Sequence, residues 1–292
     1  MWTHSGEGKM INSVVLLYNP HKDGIKTKLF DLKEAFMRAG IEVAYMLSTE
    51  TEYAVYGLEL YEQDSGKDLK PDMIVVLGGD GSVLRSLPLA VKKDIPVAGI
   101  NFGKFGFMTR YKYNRVLEDP KILNDSKISE RALLKIISDG ENGESKACLA
   151  LNDVVLQRVN LNLVEMYEIG VNGSFFEPKA ADGVVISTPT GSTAYSLSLG
   201  GPIIFPECAT MQLNLIAPHT IANRPVIFNS EESITVSLTN GDIMKVSVDG
   251  LPLEEAKKVR VCLSDRRFKL SYPKDDELLK LIETKLFWGR RG

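Results

Sequence analysis

Four groups of residues have types and spacings suited to phosphate or nucleotide chemistry. The most compact is Gly78-Gly79-Asp80-Gly81-Ser82, directly after the apolar run 73–77. Glycines strip side chains from a loop, so a phosphate reaches backbone N–H groups directly. A helix starting near Ser82 would add its positive N-terminal end. Asp80 places a carboxylate among those phosphates, which is costly unless a cation or a reacting hydroxyl is its partner. The plain alternative is a Gly-Asp turn with Ser82 as helix N-cap, and the loop is not a Walker A. The second group, Asn101-Phe102-Gly103-Lys104-Phe105-Gly106-Phe107, is a loop that would fold over a ligand, or a linker whose aromatics pack between domains. Taken alone, the linker is favoured. The third runs from Ala181 through Asp182 to Ser198 and is crowded with hydroxyls: Ser187, Thr188, Thr190, Ser192, Thr193, Ser196 and Ser198, with Tyr195 among them. Capping a helix needs one hydroxyl; many hydroxyls and an aromatic face suit a purine and a ribose. The fourth is Asn152-Asp153, an amide and a carboxylate fit to hold a ribose diol, or an Asx turn opening a strand.

The elements that must position these groups differ between the two halves. Up to about residue 100, strand-like runs at 13–18, 41–47, 73–77 and 95–100 alternate with helical stretches. The helical stripe Leu29, Leu32, Phe36, Ala39 ends at Gly40, a second helix is expected over 50–62, and Pro88 must kink or cut the helix after the first motif. Such alternation implies a parallel sheet covered by helices. From about residue 130 short β-rich runs recur, at 131–138, 146–150, 153–158, 163–171, 183–188, 211–216, 233–239, 243–249 and 259–263. Asn172-Gly173 is a hairpin signal. Helical spacing returns from Asp275 to Trp288, with Leu278, Leu279, Ile282 and Leu286 on one side. The expected fold is an α/β N-terminal domain, Rossmann-like with a parallel sheet and flanking helices, plus a mostly-β C-terminal domain. The α/β domain is placed at 11–125, the β-rich domain at 126–273, and residues 1–10 are read as a flexible extension.

Bulk properties narrow the partners. The formal net charge is −3, so no basic excess attracts a polyanion and nucleic acid is not expected. No apolar run reaches the roughly eighteen residues of a membrane helix, and the polar start, MWTHSGEGKM, has no signal-peptide core. Cys148, Cys208 and Cys262 are odd in number and far apart, which suggests buried small hydrophobes in a reduced cytoplasm rather than disulfides or zinc. His4, His21 and His219 share no ligand spacing.

Taken together, GGDGS at 78–82, NFGKFGF at 101–107, LNDVVL at 151–156 and DGVVISTPTGSTAYSLSLGGPI at 182–203 resemble the NAD kinase family. The GGDG element is shared with lipid, sphingosine and sugar kinases; the Thr-Gly-Ser-Thr-Ala-Tyr-Ser segment separates NAD kinases from them. The resemblance implies transfer of the ATP γ-phosphate to the 2′-hydroxyl of the adenosine ribose of NAD, with a divalent metal, usually Mg²⁺. It implies that the segment 274–292 completes the α/β domain, and a homo-oligomer whose sites a neighbouring subunit can complete. It makes Asp80 the catalytic aspartate, with Gly78, Gly79, Gly81 and Ser82 in the phosphate loop and Gly81 and Arg85 contacting nucleotide. Asn152 and Asp153 match the pair holding the nicotinamide-side ribose, and Asp182 a ligand contact near the nicotinamide. Thr193, Ala194, Tyr195, Ser196, Leu197 and Ser198 match the adenine-side wall. Ser82 stands where Thr is commoner. Leu163 and Ala180 stand where some members have polar or basic contacts, so those contacts are not carried over. The rivals are a GGDG-type lipid or sugar kinase and a non-catalytic NAD-binding regulator. A dinucleotide dehydrogenase is disfavoured, because Asn19-Pro20-His21-Lys22-Asp23-Gly24 stands where G-x-G-x-x-G would follow the first strand.

Overall fold

The computed structural model describes residues 10–49, 71–102, 106–140, 144–160, 164–220, 223–276 and 278–286. The expected extension up to residue 9, the helix at 50–62, Lys104, Leu163 and the chain beyond Leu286 lie outside these residues. The chain divides into two compact units, one formed by Met1–Glu130 with Phe268–Gly292, the other by Arg131–Arg267. Among the described residues the helices are α1 (Ile25–Arg38), α2 (Asp80–Leu84), α3 (Leu87–Lys93), α4 (Tyr113–Glu118), α5 (Tyr195–Ser198) and α6 (Leu278–Leu286).

In the first unit, β1 (Ser13–Tyr18), β2 (Glu42–Ser48), β3 (Met73–Leu77), β4 (Val97–Asn101) and β5 (Tyr111–Lys112) are strands. All pair in parallel, in the order β2-β1-β3-β4-β5. Every residue of β3 and β4 is buried, as expected of strands covered on both faces. Helix α1 buries Ile25, Leu29, Leu32, Ala35 and Phe36, and Gly40 at φ +79° turns the chain back into β2. Pro88 lies in the first turn of α3, where its missing N–H costs nothing, so the expected kink is a break between two short helices. The last strand of the chain, Leu251–Pro273, also enters this unit, where Leu270 and Ser271 pair in parallel with Val97 and Ala98. In α6, Leu281 and Ile282 are buried while Leu279 is 62% exposed, so the apolar side is rotated from the expected stripe.

The strand β6 (Ser126–Gly140) leads into the second unit, which is antiparallel throughout. Its strands are β7 (Ser145–Ala150), β8 (Asp153–Arg158), β9 (Glu165–Val171), β10 (Ser174–Phe175), β11 (Lys179–Ala181), β12 (Gly183–Ser187), β13 (Thr210–Ile216), β14 (Val226–Asn229), β15 (Ser233–Leu238), β16 (Met244–Val248) and β17 (Leu251–Pro273). One run of pairings is β14-β13-β12-β8-β16-β17. A second is β17-β15-β9, with β10 and β11 on β9. The sequence run 259–263 is therefore only the middle of a longer strand, whose start pairs with β16 and whose centre pairs with β15. Alternate residues of β8, β15 and β16 (Val154, Leu156; Ile234, Val236, Leu238; Met244, Val246, Val248) share one core, the period-two pattern of half-buried strands. Asn172 and Gly173 both have positive φ, as the hairpin signal requires.

Candidate active site

Strand order reverses about β1, because β2 lies on one side of it and β3 on the other. Open α/β sheets bind ligands at the carboxyl ends of strands flanking such a switch point. Here those ends are Tyr18, followed by Asn19, and Leu77, followed by the Gly78–Ser82 loop; the Asn19 N–H donates to the Leu77 carbonyl at 3.2 Å. Asp80 is the first residue of α2 and Gly79 is its N-cap, so Ser82 is not a cap. Ser82 is instead buried against Gly78, where an added Cβ would stand 2.2 Å from its Oγ. An added Cβ at Gly79 or Gly81 would meet nothing within 4 Å, which leaves backbone open to a ligand. With five residues α2 is too short to supply much of a helix dipole; what it offers is its local N–H groups. Arg85, half-buried, caps the same short helix.

The Asp80 carboxylate is held by a turn that sequence reasoning did not connect to it. Its Oδ2 accepts from the Phe107 N–H at 2.7 Å. Its Oδ1 accepts from the N–H groups of Met108 and Thr109, at 3.0 and 3.1 Å, and from the Thr109 hydroxyl at 3.1 Å. The Thr109 hydroxyl in turn accepts from the Gly106 N–H at 3.1 Å. Gly106 must be glycine for this wrapping, since an added Cβ would fall 1.8 Å from Asp80 Oδ1. The described end of the second motif thus grips Asp80, where the sequence favoured a linker packing between domains. The turn is itself anchored. The buried Arg110 guanidinium makes a two-point ion pair with Asp276, Nε to Oδ1 at 2.8 Å and the other nitrogen to Oδ2 at 2.5 Å. Burial raises the Asp276 pKa above the ordinary value, and Arg110 opposes that rise. The Lys285 ammonium lies 4.8 Å from the Phe107 ring centroid.

In the second unit the fourth and third motifs meet. The turn 151–153 packs on the chain after β12: the Thr188 N–H donates to the Asn152 carbonyl and the Thr188 hydroxyl to the Leu151 carbonyl, at 2.8 and 2.5 Å. Gly191 touches the Asn152 backbone so closely that an added Cβ would lie 2.1 Å from its carbonyl oxygen. The Asp153 side chain is buried and takes a hydrogen bond from the Tyr195 N–H. Burial first, and then the nearby Asp249 carboxylate, pushes the Asp153 pKa up to about 7. The Asn152 Oδ1 and Thr190 Oγ1 are buried without a hydrogen-bond partner. A buried orphan acceptor costs about 1–3 kcal/mol, which a donor on a ligand would relieve. Tyr195 is 38% exposed, an aromatic face at the mouth of this group.

Other expected contacts look inward. Ser196 is buried and donates to Asn214 Oδ1 at 3.1 Å, and Thr193 donates to the Thr190 carbonyl at 3.2 Å. Asp182 pairs with Arg158 at 2.8 Å, yet keeps about a third of its side chain exposed. Ala194 and Leu197 are half-buried and Ser198 is exposed. Asp249 was missed altogether: its carboxylate accepts from the N–H groups of Leu151, Asn152 and Asp153, at 2.8, 2.7 and 3.1 Å. The Asp-Gly pair between two β runs was the available signal. Cys208 is exposed and Cys148 and Cys262 half-buried, so none is the buried small hydrophobe expected. Among the described residues no three of His, Cys, Asp and Glu gather to cage a metal, and no helix is long and apolar enough to cross a membrane.

Comparison with known proteins bears on the family and the fold. The family model for the ATP-NAD kinase N-terminal domain matches residues 16–125, and that for the ATP-NAD kinase C-terminal domain matches 151–271. An NAD kinase of Chromobacterium violaceum is 30% identical over 289 residues, covering 97% of this chain and 99% of that protein. An NAD kinase of Serratia proteamaculans is 35% identical over 228 residues, covering 76% of this chain and 78% of that one. In fold, the chain is similar to yeast NADH kinase complexed with NADH (TM-score 0.79, 21% identity, 97% of this chain and 90% of that one). It is also similar to an NAD kinase from Archaeoglobus fulgidus in complex with ATP (TM-score 0.70, 23% identity, 94% of this chain and 98% of that one).

Proposed function

The chain belongs to the ATP-NAD kinase family, and from that premise we propose how its residues divide the work of the reaction. It is a phosphotransferase that phosphorylates NAD with ATP. The γ-phosphate goes to the 2′-hydroxyl of the adenosine ribose, giving NADP. The observation that carries the assignment of roles is the Asp80 carboxylate, fixed by four donors at the switch point of the parallel sheet. Phosphoryl transfer through a loose transition state asks for alignment and charge balance more than for strong base catalysis. Asp80 orients and polarises the 2′-hydroxyl, and the Gly78–Gly81 backbone with Arg85 receives donor phosphates. In the second unit Asn152 and Asp153 hold the nicotinamide-side ribose and Tyr195 the adenine side. Asp182 and the backbone of 193–198 complete the acceptor's contacts.

Bound Mg²⁺ would supply positive charge to offset the transferring phosphate. The described residues offer Asp80 rather than a cage, and Mg²⁺ commonly takes one or two carboxylates with the remaining ligands from phosphates and water. A lipid or sugar kinase would share the Gly-Asp loop but would not call for the third motif, and a regulator would not need Asp80 clasped in it. We place the enzyme in the cytoplasm as a homo-oligomer; the exposed apolar residues Val164, Met166, Phe175 and Phe176 around the β9–β10 hairpin support self-association. The test is incubation with NAD, ATP and Mg²⁺ and an assay for NADP, with and without excess chelator. NADP that forms with Mg²⁺ and stops on chelation is the expected result. Full activity in chelator removes the metal, and no NADP with any metal leaves the regulator reading.

A further inference from the structure

We propose that Asp249 is a positioning residue of the acceptor site, holding in place the turn that presents Asn152 and Asp153 to NAD. The proposal rests on the reading that Asp153 accepts hydrogen bonds from ribose hydroxyls. Asp249 and Gly250 form the two-residue connection between β16 and β17, with φ of +49° and +76°. Positive φ at both positions gives the tight hairpin whose twist matches its strands. Asp is among the few non-glycine residues that tolerate this conformation. The hairpin thereby aims the carboxylate at the 151–153 turn, where it accepts three consecutive N–H groups at 2.7–3.1 Å. The Asp249 N–H returns a bond to the Asp153 carbonyl at 3.0 Å. A turn with three donors committed to one carboxylate has little freedom, so Asn152 and Asp153 keep their direction without help from ligand.

The same contact has an electrostatic effect. Two groups act on the Asp153 carboxyl from the elements packed against it: the Asp249 carboxylate on the hairpin and the Tyr195 N–H at the start of α5. Ser187, its neighbour across the sheet, carries no charge. Asp249 therefore raises the Asp153 pKa, adding to the larger effect of burial, toward neutrality. Only the ionised form accepts from both ribose hydroxyls, so NAD binding weakens as pH falls through this range. Asp249 thus both orders the pocket and sets where it loses its grip.

The experiment is calorimetric titration of the enzyme with NAD, without ATP, from pH 8 to pH 5.5. Wild type, Asp249→Asn and Asp153→Asn are compared, with melting curves to confirm folding. Asn also tolerates positive φ and keeps an acceptor oxygen, so D249N removes the charge while sparing the hairpin. Wild-type Kd should rise about tenfold from pH 8 to pH 6, as expected of a group titrating near neutrality. In D249N the rise should begin at lower pH and stay under about threefold over the same interval. Its Kd at pH 8 should be a fewfold weaker, because one acceptor oxygen for the 151–153 N–H groups is lost. A D249N profile parallel to wild type, with D153N weakened, overturns the role of Asp249 and leaves that of Asp153 standing. An unchanged Kd in D153N overturns the reading of Asp153 itself. A wild-type Kd flat across the range overturns the proposal even if D249N does not fold.

Discussion

Asp80 in the first unit and Asp153 in the second are both carboxylates, but their surroundings assign them different work. Asp80 takes three donors on Oδ1 and only one on Oδ2, which fixes its direction and leaves Oδ2 able to accept again. Asp153 is buried with a like charge nearby, which makes it costly to ionise. That cost is a stability statement. The folded-state pKa of about 7 lies above the ordinary 3.8, so the folded chain binds a proton more tightly than the unfolded chain. Its contribution is fully present below the unfolded value and is lost as pH rises toward about 7. Asp153→Asn should therefore be more stable than wild type at pH 8, by roughly 1–3 kcal/mol, while binding NAD less well. Denaturant melts of both proteins at pH 5 and pH 8 measure this; a variant no more stable at pH 8 shows that no such cost exists. Asp80, Asn152 and Asp153 were singled out in the sequence through the motifs that resemble a family, since a Gly-Asp turn or an Asx turn accounts for each taken alone. Asp249 was not, because the turn it serves is 97 positions away from it along the chain.

Elements explain how the Asp80 turn is kept. β4 and β5 are parallel neighbours, and the residues leading into β5 turn the N–H groups of Phe107, Met108 and Thr109 onto Asp80. The chain just after β17 then locks this turn through the largely buried Arg110–Asp276 pair. Removing one partner of a buried pair is usually worse than never having had it, because a charge is stranded. Asp276→Asn should lower unfolding free energy by about 2–4 kcal/mol and reduce kcat with little change in the NAD KM. Melting temperature and steady-state kinetics check both halves; an unchanged melting temperature would show that the pair contributes nothing net. The elements themselves were largely readable. β1, β3 and β8 coincide with their apolar runs because burial on one or both faces writes itself into composition. Helix α6 was read a few residues out of phase because a nine-residue segment has room for two competing stripes. The length of β17 was hidden, since one continuous strand serves several partners in turn and its polar stretches look like loops.

At the scale of the whole molecule, two units of different architecture each contribute one kind of group. The parallel-sheet unit carries Asp80 and the glycine loop at its switch point, and the antiparallel unit carries the 151–153 turn packed on the chain after β12. Mild negative net charge fits a small-molecule acceptor better than a polyanion. This division predicts that substitutions in the first unit act on turnover and those in the second on acceptor affinity. The central claim is that Asp80 is the reacting-centre carboxylate of an NAD-phosphorylating enzyme. Its most direct test is kcat and the NAD KM of Asp80→Asn beside wild type, with ATP and Mg²⁺ saturating. The account predicts a fall in kcat of roughly 10²–10⁴, the range typical of losing such a group, with a much smaller change in KM. A variant within about threefold of wild-type kcat, far inside that range, would contradict it.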